Sequence, residues 1–97
     1  MAVGVLVELP DFTQDKYDII ESRLTNGGTL TSLSNWPVEG VLCHIAGPAQ
    51  NGWRIVDVWE SEEAFKAFGE ILGAINEELG WPAVQPQFFT VESFVKD

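Results

Sequence analysis

Apolar positions repeat at period two along several stretches of this chain and at helical spacing along two others. From Trp53 to Trp59, the residues Trp53, Ile55, Asp57 and Trp59 fall on one face, and Arg54, Val56 and Val58 on the other, which predicts a strand. Ser61 then suits a helix N-cap, and Glu62 and Glu63 set negative charge on the first turn, where the helix dipole favours it. Ala64, Phe65, Phe68, Ile71, Leu72, Ile75 and Leu79 follow as one wide apolar stripe. Gly80 closes this helix, with Pro82 just beyond. Upstream, Ala2 to Leu9 reads as a strand with Val3, Val5, Val7 and Leu9 on one face and Ala2, Gly4 and Leu6 on the other. A strand apolar on both sides belongs in the middle of a sheet covered twice, and Pro10 ends it. Asp11 or Thr13 caps a helix from about Gln14 to Leu24, whose stripe is Tyr17, Ile20 and Leu24, widened by Ile19. Asn26-Gly27-Gly28 terminates it through residues that tolerate positive φ.

Residues 29–39 are rich in Thr, Ser and Asn and end in Trp36-Pro37. A connection of this length is expected to fold over a surface or a pocket mouth, with Trp36 as its anchor. Gly40 to Ala46 reads as a second strand, and Gly47 to Gly52 as the turn of a hairpin, signalled most strongly by Asn51-Gly52. Gln85 to Val95 reads as a last strand, and Lys96-Asp97 as a short polar tail. The order β-α-β-β-α-β is the split βαβ pattern of a ferredoxin-like α+β fold. Right-handed crossovers then put both helices on one face of a four-stranded antiparallel sheet, within a single domain spanning residues 1–97. The reverse sheet face lacks cover within the chain. A second copy would supply it, so a homodimer through sheet faces is expected; the alternative is a monomer with a modestly apolar open face.

Composition sharpens the partners. A domain of this size buries only about 60–65% of its unfolded surface, yet 45% of its residues are hydrophobic, among them four Trp and six Phe. Part of that surface suits a partner chain. The formal charge of −10 repels phosphate backbones and anionic lipid, so neither nucleic acid nor a membrane is an expected partner. The N-terminal apolar run is too short for a signal peptide or a membrane span. Cys43 is the one cysteine, which agrees with a reducing cytoplasm, and one His with one Cys cannot supply a common structural zinc site.

His44 is the sole histidine. If the hairpin sets Ala46 opposite Trp53, His44 faces Ile55, Leu42 faces Asp57 and Gly40 faces Trp59. His44, Trp53, Asp57 and Trp59 then share one sheet face, and His44 is a candidate general base. A slip by one residue would separate them. The plainer alternative is a histidine held by a backbone carbonyl or a neighbouring acid. Asp57 is a charge inside an apolar strand and needs a partner: Arg54, Arg23, Lys16, Tyr17 or a helix N-terminus, or else an ion pair at a strand edge or between subunits. Trp53, Trp59, Phe65 and Phe68 could wall a cavity for a flat ligand, though the two Phe sit in the helical stripe and suit the core equally. Trp36 and Trp81, in loops beside prolines, suit a lid or a dimer contact. Cys43 is out of phase with His44, which argues against a Cys–His nucleophile pair.

The run Gly52-Trp53-Arg54-Ile55-Val56-Asp57-Val58-Trp59-Glu60-Ser61-Glu62-Glu63-Ala64-Phe65 resembles the strand-to-helix segment of the dimeric α/β-barrel superfamily, and within it the small proteins grouped with antibiotic biosynthesis monooxygenases. Val41 to Pro48 resembles the preceding strand of a bacterial subgroup. The similarity spans most of the chain except residues 26–39. In the monooxygenase group a carboxylate two residues before a Trp recurs on this strand, and Asp57 and Trp59 match it. The histidine usual on the next helix falls near Phe68 and is missing. Haem-degrading relatives use an Asn on the first strand, and none stands there. The resemblance implies a cofactor-independent monooxygenase-like enzyme acting on a small aromatic or polyketide-like molecule. Its catalytic residues would be His44 and Asp57, and Trp53, Trp59, Phe68 and Trp36 would bind the substrate, with no metal. The alternatives are a non-catalytic small-molecule binding module using the same cavity and a structural dimer without a ligand.

Overall fold

Strand β1 (Val3–Pro10) is the hub of the sheet, paired antiparallel with β3 (Gly52–Trp59) on one side and β4 (Gln87–Thr90) on the other. Strand β2 (Val41–Ala49) pairs with β3 at the opposite edge, giving the order β2-β3-β1-β4. Helices α1 (Gln14–Leu24) and α2 (Glu62–Leu79) complete the ferredoxin-like α+β architecture. The computed structural model describes residues 2–28, 30 and 32–95, so the polar tail Lys96-Asp97 lies outside the described residues. No helix among them is long and apolar enough to cross a membrane.

The helix ends follow their sequence signals. The Thr13 hydroxyl accepts from the Lys16 N–H and the Ser61 hydroxyl from the Ala64 N–H, so each N-cap satisfies a donor that the helix leaves free. Gly80 closes α2 at φ 73, a left-handed value that a side chain would oppose. Val5 and Trp59 are fully buried, and Val7, Ile20, Leu24, Trp36, Phe65 and Phe68 complete the core between sheet and helices.

Three expectations are corrected. Strand β2 runs three residues further than its composition suggests, through Gly47 and Pro48 to Ala49. Proline is tolerated there because β2 is an edge strand, with no neighbour on its outer side to receive an N–H. The hairpin turn therefore shrinks to Gln50-Asn51, with Asn51 at φ 67. Gly52 is required beside it, since a Cβ there would lie 2.2 Å from the Leu9 carbonyl oxygen. With the shorter turn the register moves by two residues, so His44 stands opposite Asp57 and Ala46 opposite Ile55. A bulge at Leu42 then brings Val41 opposite Trp59. An even shift preserves the faces, so His44 still lies on the face of Asp57 and Trp59. The last strand covers only Gln87–Thr90, because its partner β1 begins at Val3, opposite Thr90, and Pro86 precedes it.

On the reverse face, alternation places Leu6, Cys43, Ile45, Val56, Val58 and Phe89. Ile45 is 61% exposed and Phe89 52%. Arg54 and Glu8 meet at 3.3 Å on the same face.

Candidate functional site

The covered face of the sheet carries a chain of polar groups inside an aromatic wall. Because His44 and Asp57 are register partners, their side chains meet directly, with Nδ1 2.7 Å from Oδ1. Trp59, two residues along β3, donates its indole N–H to the other carboxylate oxygen at 3.2 Å. Tyr17 arrives from the second turn of α1 and sets its hydroxyl 2.6 Å from His44 Nε2. The buried carboxylate is thus partnered from within its own chain, by His44 and Trp59. The expected cationic partners lie elsewhere: Arg54 pairs with Glu8 and Arg23 with Glu78.

Donor and acceptor chemistry orders this chain. An ionised carboxylate only accepts, so His44 Nδ1 carries the proton that points at Asp57. Nε2 is then the bare nitrogen, and the Tyr17 O–H donates to it. Burial pushes the Tyr17 phenol up to about 12 from an ordinary 10, and the carboxylates of Glu21, Asp57 and Asp18 add to the effect. Tyr17 is therefore a neutral phenol whose oxygen exchanges one proton for another rather than a standing phenolate.

This chain borders a cavity of about 300 Å³ between sheet and helices. Its buried lining includes Val7, Ile20, Trp36, Asp57, Phe68 and Asn76, with Tyr17 and His44 at one wall. The lining residues Glu8, Pro10, Asp11, Pro82 and Gln85 are exposed and so mark its mouth. Lys16 also lines it, with its ammonium 5.7 Å from the centre of the Trp81 ring.

Of the aromatic residues expected to hold a ring, Trp36 and Phe68 line the cavity. Trp36 packs edge-on against His44 at 4.9 Å and tilted against Phe68 at 5.1 Å, so its indole is pinned into the site. Trp59 and Trp53 stand behind the cavity wall instead. Trp59 is fully buried beneath Phe65 and Phe68, and Trp53 supports Tyr17 at 5.1 Å. They miss the cavity because Asp57 and Ile55, between them on β3, occupy its floor.

Two residues emerge that sequence reasoning passed over as site groups. In the sequence Tyr17 belongs to the helix stripe and is one of several candidate partners for Asp57; its contact with His44 spans 27 positions and carries no local signal. Asn76 had a signal: it falls four positions after Leu72 and eight after Phe68, on the inward stripe of α2. It is 5% exposed. Among the described residues no group of three or more His, Cys, Asp or Glu side chains is placed to hold a metal.

No family model matches the chain, and no curated protein matches it. Among solved structures it is similar to a variant of SnoaB, a cofactor-independent oxygenase from Streptomyces nogalater, with a TM-score of 0.58 over 99% of this chain and 97% of that one. The two share 13% of their residues. The fold implied by the sequence resemblance is therefore the fold this chain has, shared end to end with that oxygenase.

Proposed function

We propose that the cavity takes a small, flat, largely apolar molecule with an acidic O–H or C–H group and removes its proton at Tyr17. The single observation behind this reading is the Tyr17–His44–Asp57–Trp59 chain, which ends on an open cavity. The substrate gives its proton to the Tyr17 oxygen as the phenol proton passes to His44 Nε2. The resulting imidazolium is held by the Asp57 carboxylate, itself fixed by the Trp59 N–H. Trp36 and Phe68 flank the ring and exclude water, which strengthens the charge pairing.

The likeness to a cofactor-independent oxygenase favours molecular oxygen as the second reactant. An activated ring CH₂ loses its proton, and the carbanion adds O₂ to give a hydroperoxide once a proton returns. Loss of water then leaves a carbonyl, so CH₂ and O₂ become C=O and H₂O. The residues that act are Tyr17 and His44, with Asp57 positioning His44. The uncovered reverse face favours a homodimer through sheet faces.

The test is turnover of hydroxylated polycyclic substrates without added cofactor, followed by oxygen consumption. Tyr17→Phe and His44→Ala should each lower kcat by about 10²–10⁴-fold with the fold intact by circular dichroism. Equal rates in both variants and wild type would remove the chain from the mechanism. The second reading, a binding module without chemistry, rests on the same cavity. It would be favoured by tight binding of such molecules with no oxygen uptake.

A further inference from the structure

Arg23, Arg54 and Lys66 each sit within 3.5 Å of a glutamate oxygen. Lys16 has no acidic partner among the described residues, and its half-buried side chain lines the mouth of the cavity. Its ammonium lies 5.7 Å from the centre of the Trp81 ring, which Phe12 holds edge-on at 5.9 Å. Lys16 also falls in the first turn of α1, where the positive end of the helix dipole disfavours a cation. Residues that break a local rule of this kind gather at functional sites. The next residue is Tyr17, so α1 brings a cation and the phenol to one cavity from adjacent positions. Of the acids along the same lining, Glu8 pairs with Arg54 and Asp57 with His44, while Asp11 is exposed to water and makes no ion pair with Lys16.

We propose that Lys16 recognises a carboxylate on the molecule that enters this cavity. The inference rests on the first cavity being the substrate site. An ammonium has three N–H donors. The Trp81 face engages one side of it, and the remaining donors reach a carboxylate oxygen while the methylene stem stays against the protein. The contact sets the direction of entry. A molecule apolar at both ends enters either way round; one with a carboxylate at one end keeps that end at the mouth and presents the other to Tyr17. The ligand class is therefore an aryl carboxylic acid whose acidic O–H or C–H group is remote from its carboxylate. Lys16 is a specificity residue and takes no part in the proton transfer.

Calorimetric titration with para-hydroxyphenylpropanoate and with para-propylphenol tests this, since the two differ only in a carboxylate standing where the other has a methyl group. The wild type should bind the acid about fivefold tighter, as suits a partly exposed ion pair. Lys16→Met keeps the length and apolar character of the stem and removes the charge. It should leave para-propylphenol unchanged and reverse the preference, because a chain of formal charge −10 repels a carboxylate that no cation meets. Lys16→Arg should retain the preference for the acid. Equal binding of the two ligands by wild type, or a preference that survives in Lys16→Met, overturns the role of Lys16 and leaves the cavity reading intact. Equal weakening of both ligands in Lys16→Met would mean that the side chain shapes the mouth without reading charge, which also overturns it. If wild type binds neither ligand, the failure lies with the first cavity as substrate site, and the inference falls with it.

Discussion

The two faces of the sheet invert each other. The covered face holds a carboxylate that is 4% exposed, a histidine and a phenol inside an aromatic wall. The open face presents Ile45, Val56, Val58 and Phe89 to solvent. Stability alone would favour the opposite arrangement, since burying a charge is costly and exposing apolar surface gains nothing. The contrast separates two tasks on one set of strands. Odd positions of β3 lie on the covered face and its even positions on the open one, so the proposed chemistry and the proposed pairing draw on different residues. A change at one residue of β3 should therefore register on one task and spare the other.

Removing Asp57 should produce the largest effect. Asp57→Ala orphans the His44 Nδ1–H and the Trp59 N–H within the core, and each buried donor left without an acceptor costs about 1–3 kcal/mol. Urea unfolding should show that loss, whereas Ile45→Ala, on the open face, should fall within about 0.5 kcal/mol of wild type at a protein concentration where the chain is monomeric. Similar losses in both variants would erase the distinction between the faces.

Assembly gives the next effect. Ile45→Lys and Val58→Lys place charge in the middle of the open face. Sedimentation at micromolar concentration should report a dimer for wild type and a monomer for both variants. Because each protomer carries a formal charge of −10, added salt should strengthen the wild-type dimer by screening repulsion. A wild type that sediments as a monomer at all salt concentrations would leave the open face without a role in pairing.

Much of the fold was legible because its signals are local. Thr13, Ser61 and Gly80 each mark a helix end through their own backbone or hydroxyl chemistry, and α1 runs over the expected residues. What escaped depends on neighbours distant in sequence. The reach of β2 through Pro48 follows from its place at the sheet edge, and the short β4 follows from where β1 begins. The candidate site divides in the same way. His44 and Asp57 share a face by strand parity, which a register error of two positions leaves intact. The meeting of Tyr17 with His44 depends on how α1 packs over the hairpin, and no pattern within α1 encodes it.

The smallest effect is spectroscopic, and it probes the covered face directly. Tyr17 is the only tyrosine, so the phenolate absorbance of the whole protein reports this one group. Its midpoint should lie at about 12 rather than 10, and should return towards 10 when the chain is unfolded in denaturant. The sign for stability follows. Between pH 10 and 12 the unfolded chain has released this proton while the folded chain still holds it, so stability declines as pH rises through that window and is unaffected by Tyr17 below it. Tyr17→Phe should flatten the decline. A folded-state midpoint at 10 would mean that water reaches the hydroxyl freely, and the covered face would then lose the dryness on which the proposed proton transfer depends.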